Sequence, residues 1–190
     1  MKKDIILAGV GGQGILSIAA CIGLAAVSAG MNLKQAEVHG MSQRGGDVQS
    51  HLRISDDEIH SDLIPQGKAD IIISVEPMES LRYLPMLSKD GWIITNTAPF
   101  VNIPNYPPIE GIIEEIEKVP NHVAIDADKI AKEIKAVKSA NMVILGAASK
   151  HIGISYEQLQ EGVRMLFGRK GEDVVNANLR ALEEGRKFAI

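Results

Sequence analysis

Along the 190 residues, apolar positions change their period several times. Ile5-Ile6-Leu7-Ala8 is a short apolar run that stops at Gly9, and residues 15–29 are apolar nearly all round over a length that only a helix reaches. Together they predict a strand, a tight turn and a buried helix. Residues 33–38 predict a second strand, completing a strand–helix–strand unit, with Gly30 where a helix commonly ends in a left-handed residue. Residues 39–46 carry three glycines and no periodicity; then 48–54 alternate, Ser55-Asp56-Asp57 turns and 58–62 run back. The reading there is a loop feeding a β-hairpin.

Ile71-Ile72-Ile73-Ser74-Val75 is apolar on both faces, as a central parallel strand is, and Pro77 suits the first turn of a following helix that ends near Asp90-Gly91. Residues 92–95 and 123–125 predict two further strands. Between them Pro104, Pro107 and Pro108 mark a surface connection, since proline cannot continue a ladder or a helix interior. From Ala127 onward the pattern is helical, with stops at Gly153 and around 168–171. The last helix sets Val175, Leu179 and Leu182 on one face and the smaller Asn178, Ala181 and Gly185 on another, against which something can lie close. The sum is one domain over residues 1–190: a three-layer, Rossmann-like α/β fold with a mostly parallel sheet, an inserted β-hairpin and a helical C-terminal extension.

Composition narrows the function. Apolar residues at 45% and charged residues at 23% are ordinary globular usage, and a net charge of −4 gives no basic surplus for a nucleic-acid backbone. A single cysteine, Cys21, forms no internal disulfide and holds no iron–sulfur cluster. Lys2, Lys3 and Ile18-Ala19-Ala20-Cys21 give the N-terminus a superficial likeness to a secretory leader, but Asp4 spoils the basic flank and Gly9, Gly11, Gly12, Gln13 and Gly14 interrupt the apolar run. What remains, residues 15–27, is shorter than the roughly 20 residues that span a bilayer. The expectation is a cytoplasmic protein without membrane or nucleic-acid partners.

Three groups of residues offer chemistry. Gly9, Gly11 and Gly14 meet the G-x-G-x-x-G spacing, with Gly12 and Gln13 between them, at a predicted strand-to-helix turn. Glycines there allow a tight turn, bare backbone N–H groups and a helix N-terminus aimed at an anion; a turn built only for packing is the plainer alternative. Glu37, roughly 20 residues past the last glycine, suits the ribose-hydroxyl partner of a dinucleotide site. Ser42, Gln43, Arg44, Gly45 and Gly46 combine a hydroxyl, an amide, a guanidinium and two bare amides, suited to phosphate or carboxylate; a hairpin-entry turn with a solvated arginine is the alternative. Glu76 falls at the carboxyl end of a central strand, the edge where open α/β sheets place ligands, while Glu79 is accounted for by the helix dipole. His39, His51, His60, His122 and His151 show no i, i+4 pair, so no metal site is expected, and no nucleophile elbow is present. The sequence holds a cradle and no catalytic residues.

The ordered set of Gly9-Val10-Gly11-Gly12-Gln13-Gly14, Ser42-Gln43-Arg44-Gly45-Gly46, Glu76-Pro77-Met78-Glu79, Asn141-Met142 with Leu145-Gly146-Ala147, and Asn178 with Ala181 and Gly185 resembles the gamma-type domain of the 2-oxoacid:ferredoxin oxidoreductases over nearly the whole chain. Within that family the Met41 to Gly46 loop is similar to that of the indolepyruvate ferredoxin oxidoreductase beta subunits. The resemblance implies oxidative decarboxylation of an aryl pyruvate to an acyl-coenzyme A, with electrons passed to ferredoxin. It implies a hetero-oligomer whose larger alpha subunit holds thiamine diphosphate and [4Fe-4S] clusters, coenzyme A serving as cosubstrate and no cofactor being tightly bound by this chain. Gly9, Gly11, Gly12, Gln13, Gly14, Ser42, Gln43, Arg44, Gly45, Gly46 and Glu76 are then the expected cofactor-binding residues, with the Gly9 to Gly14 turn and Arg44 shaping an anion-binding surface toward the partner's active site, suited to the coenzyme A pyrophosphate. A freestanding NAD(P)-binding regulatory or oxidoreductase module is the other reading of the glycine turn.

Overall fold

A computed structural model describes residues 1–40 and 45–190, with His39 described by its backbone alone. Among the described residues six strands form one sheet in the order β2-β3-β1-β4-β5-β6. They are β1 (Lys2–Val10), β2 (Asn32–His39), β3 (Asp47–Ser55), β4 (Ala69–Ser74), β5 (Leu87–Asn96) and β6 (His122–Ile125). β1, β4, β5 and β6 run parallel; β3 is antiparallel to both β1 and β2. Side chains on a strand alternate between faces, so the sheet builds two cores. Ile5, Leu7, Ile71 and Ile73 point into one, Ile6, Ala8, Ile72 and Ile93 into the other. Burial on both faces is why these strands read as unbroken apolar runs.

The first core is covered by α1 (Ile15–Ser28), α5 (Ala140–Ala148), α6 (Tyr156–Phe167) and α7 (Glu172–Arg186), with α4 (Ala127–Glu133) beside them; the second by α2 (Pro77–Arg82) and α3 (Ile109–Glu117). Helices on both faces give the three layers. α1 starts after Gly14, whose φ of 84° is the left-handed conformation that glycine adopts without strain. It ends as anticipated at Gly30, φ 77°.

Three local expectations are corrected. The hairpin is made by β2 and β3, not by β3 and residues 58–62, which form no strand. Insertion of β3 between β1 and β2 also means that β2 does not lie beside β1 as a simple strand–helix–strand unit requires. The apolar alternation of 48–54 identifies a strand but says nothing of its partner, and β3, flanked on both sides, is better buried than an outer hairpin strand. Finally, the helix after Pro77 stops at Arg82: Leu84–Met86 tightens into a 3₁₀ turn around Pro85, and β5 starts at Leu87, well before Trp92.

Candidate functional site

The chain leaves β1 through α1 toward β2 and leaves β4 through α2 toward β5, on opposite faces of the sheet. The connections that leave the carboxyl ends of β1 and β4 therefore diverge, opening the crevice that parallel sheets use for ligands. Residues 9–14 cross it. Gln13 accepts a hydrogen bond from the Val10 N–H through Oε1 (2.8 Å) and donates through Nε2 to the Val75 carbonyl (3.4 Å), so one amide clips the turn and bridges the two strands. A side chain at Gly9 would meet the Val75 methyl at 2.5 Å, and one at Gly14 would meet Asn141 Nδ2 at 2.5 Å. Asn141 donates to the Gly14 carbonyl at 3.0 Å, joining the start of α5 to the start of α1.

α1 has no side-chain cap and no acidic residue in its first turn. Its first N–H groups and the positive end of its dipole are thus left to solvent or an anion. Before it lies a cleft of about 730 Å³, walled by Gly12, Gln13 and Gly14 on one side and by Lys138, Phe167 and Asn178 among others on the opposite side. An adjoining recess of about 190 Å³ reaches Val75, Asn96 and Asp128. Asn96 is 3% exposed and fully engaged: it donates to Asp128 (2.7 Å) and accepts from the Ala127 N–H (3.0 Å).

Of the second sequence group, Gly45 and Gly46 fall beside the first: the Gly11 N–H donates to the Gly46 carbonyl (2.9 Å), and the Gly45 carbonyl accepts from Asn102 Nδ2 (2.6 Å). Ser42, Gln43 and Arg44 lie outside the described residues. Glu76 is at the sheet edge where the sequence puts it, but is fully buried, and its carboxylate is used by the fold. It accepts from the Glu79 N–H (2.9 Å), the Phe100 N–H (3.3 Å) and the Tyr106 hydroxyl, capping α2 and holding down the proline-rich connection. Burial, then the neighbouring Glu76, pushes the Tyr106 hydroxyl well above its usual range, so it stays a donor. Glu37 stands on β2, which β3 separates from the glycine turn, and its Oε2 accepts from Gln35 (3.2 Å). That is not the position beside β1 from which a carboxylate reaches a dinucleotide ribose.

Next to this region lies a buried polar cluster. Tyr83 donates to both Asp47 oxygens (2.9 and 2.7 Å), and Glu79, 2% exposed, pairs with Arg82 (2.6 Å). Burial raises the Glu79 carboxyl, with Arg82 opposing the shift, and burial with the Asp47 hydrogen bond raises the Tyr83 hydroxyl. Cys21 is buried and its thiol is pushed up to about 12, leaving no thiolate for chemistry. His51 and His151 serve the fold: His51 Nδ1 accepts from the Ile64 N–H (3.0 Å), and His151 stacks on Trp92 at 4.0 Å. Motif spacing missed the far wall of the cleft, residues 135–139 and 170–178. Its lysines belong to no repeat, Asn141 stands out only through family resemblance, and Asn178 is marked by spacing as part of a small helix face but not as a cleft residue.

A family model described as pyruvate ferredoxin/flavodoxin oxidoreductase matches residues 4–188. The indolepyruvate oxidoreductase subunit IorB of Pyrococcus horikoshii is 40% identical over 200 residues, covering 100% of this chain and 97% of the relative. Its counterpart in Archaeoglobus fulgidus is 37% identical over 199 residues, covering 100% and 96%. Among solved structures, the 2-oxoglutarate:ferredoxin oxidoreductase of Magnetococcus marinus, determined with 2-oxoglutarate, coenzyme A and succinyl-CoA bound, superposes with a TM-score of 0.78 at 25% identity. There 99% of this chain corresponds to 31% of a longer one, so the chain spans about a third of that relative. With these matches over its whole length, the chain belongs to the pyruvate ferredoxin/flavodoxin oxidoreductase family, as an IorB-like small subunit of a 2-oxoacid:ferredoxin oxidoreductase.

Proposed function

We propose that this chain is the small subunit of an enzyme acting on indolepyruvate or a similar aryl pyruvate in the cytoplasm, and that it binds the coenzyme A cosubstrate at the crevice between β1 and β4. The 2-oxoacid loses carbon dioxide, two electrons pass from its acyl carbon to ferredoxin, and the acyl group bonds to the coenzyme A sulfur. Thiamine diphosphate and [4Fe-4S] clusters in a larger partner subunit supply the decarboxylation and electron transfer. This chain supplies position: residues 9–14 and the start of α1 receive the pyrophosphate, Arg44 contributes a guanidinium to its binding, and the chain alone turns over no 2-oxoacid.

The observation that carries the reading is the uncapped N-terminus of α1 opening on a cleft of about 730 Å³ at the point where the strand order reverses. The strand order speaks against a freestanding NAD(P)-binding module, because β3 occupies the place from which an acidic residue would reach the ribose. Coexpression with the large subunit tests the assignment. The complex oxidises indolepyruvate and reduces ferredoxin only with both chains, and Arg44→Ala raises the KM for coenzyme A. An unchanged KM and kcat in Arg44→Ala removes Arg44 from the site, and full activity of the large subunit alone refutes the reading.

A further inference from the structure

The cleft wall facing residues 9–14 carries features that a pyrophosphate at the start of α1 leaves unused. Ser139 occupies the N-cap position of α5 and is 4% exposed, yet its hydroxyl makes no capping bond and has no partner among the described residues. Asn178 is 6% exposed; its Nδ2 donates to the Val174 carbonyl (2.8 Å), while its Oδ1 receives no donor among the described residues. Both residues line the cleft. α5 begins with no acidic residue in its first turn, and the Met142 N–H there is taken by Asn141 Oδ1 (3.0 Å), so Ser139 and Asn178 are the polar side chains left open to this space. Lys135, Lys138 and Lys170 line the cleft with them, and among the described residues none pairs with a carboxylate. Asp173 is the acidic residue on this wall.

Lys135 is held there against local preference. At the exit of α1, Gly30 has φ 77°, its N–H reaches the Val27 carbonyl (3.0 Å), and the Met31 N–H reaches Ala26 (3.0 Å). The exit of α4 repeats both bonds: the Lys135 N–H reaches Lys132 (3.1 Å) and the Ala136 N–H reaches Ala131 (2.8 Å). There, however, the left-handed position belongs to Lys135 at φ 56°, the one non-glycine residue with positive φ among the described residues. The motif favours glycine, since a Cβ crowds the following carbonyl. A strained side chain at a cleft is the pattern of a functional requirement.

We propose that this wall is a phosphate-monoester subsite, in which Lys135, Lys138, Lys170 and the Ser139 hydroxyl hold a second, separate phosphate of the ligand whose pyrophosphate lies at residues 9–14. The inference rests on the coenzyme A reading above, because coenzyme A carries a ribose 3′-phosphate besides its pyrophosphate. Charge-assisted hydrogen bonds make this second phosphate a selectivity element.

Calorimetric titration of the full 190-residue chain with coenzyme A and with dephospho-coenzyme A, which lacks only that phosphate, tests it. Wild type is expected to prefer coenzyme A by about tenfold or more. Lys135→Gly is expected to remove most of that preference while raising Tm, because glycine relieves the strained position. Ser139→Ala and Lys138→Ala reduce the preference without raising Tm. Equal affinity of wild type for the two ligands overturns the subsite and leaves the coenzyme A reading standing. Failure of wild type to bind either ligand overturns both. A preference unchanged in all three variants overturns the assignment to this wall.

Discussion

Gly146 on α5 and Gly185 on α7 lie where the two helices touch backbone to backbone. A Cβ on Gly146 would sit 2.0 Å from the Leu182 carbonyl oxygen, and one on Gly185 would sit 1.9 Å from that of Val143. No rotamer relieves a clash between a Cβ and a backbone oxygen, so one helix would have to move. Gly146→Ala is expected to destabilise the fold by about 2 to 3 kcal/mol, the range of overpacked cores, as read from a shift in the urea midpoint. Gly111→Ala is the control: a Cβ there meets nothing within 4 Å, and alanine suits a helix better than glycine.

The small face of the last helix was legible in the sequence for the same reason. Asn178, Ala181 and Gly185 at helical spacing announce a close neighbour without naming it, and α5 is that neighbour. Ile5 to Ala8 and Ile71 to Val75 likewise identify central strands, since only burial on both faces tolerates such runs. Pairing order is not legible there: a strand's own alternation is the same whether it sits at an edge or between two others, so the alternation of β3 does not name β1 and β2 as its partners. The site divides in the same way. Glycines at fixed offsets reveal the turn at residues 9–14, because backbone geometry constrains sequence locally. The opposite wall is assembled from helix ends far apart in the chain, where Lys135 and Ser139 have no spacing to betray them. Glu76 shows the converse, a charge placed as a ligand residue would be but consumed by Tyr106, Phe100 and Glu79.

That clasp is open to test. Tyr106→Phe removes the phenolic donor to Glu76 and leaves a buried carboxylate short of a partner. A hydrogen bond to a charged group is worth about 2 kcal/mol, and a loss of that size is expected. Because Tyr106 ties the proline-rich connection to α2, limited proteolysis between residues 97 and 108 should quicken in the variant. Cleavage at the wild-type rate would show that the connection is held by other contacts.

Acid should loosen the far side of the sheet through His51. Burial, then the facing Arg53, lowers its pKa, and Nδ1 must stay unprotonated to accept from the Ile64 N–H. A base whose pKa is depressed by folding contributes stability above its unfolded value, about 6.5 for histidine, and loses it as pH falls. His151, lowered by burial and then Lys3, acts in the same direction. Tm is therefore expected to fall between pH 7.5 and 5.5. His51→Asn keeps an acceptor near the Nδ1 position and cannot protonate, so its Tm should fall less over that interval; equal slopes would remove His51 as a cause.

Gln13 separates the architecture of the turn from its ligand chemistry. Gln13→Ala strips the partner from the Val10 N–H, which lies in a residue 1% exposed, at a cost of about 1 to 2 kcal/mol. Gln13→Glu loses the Nε2 donor to the Val75 carbonyl, as the alanine does, but retains an acceptor for the Val10 N–H and sets a negative charge near the start of α1, which the helix dipole favours, so its stability should stay nearer to wild type than that of the alanine. Affinity for coenzyme A should rank the other way. The glutamate occupies the field meant for the ligand's phosphates and should weaken binding by about tenfold or more, whereas the alanine leaves the helix terminus open and weakens it less. Opposite orders for Tm and Kd in these two variants are what an anion site at this turn requires. A turn that exists for packing alone would leave Kd indifferent to the glutamate, or make it follow Tm.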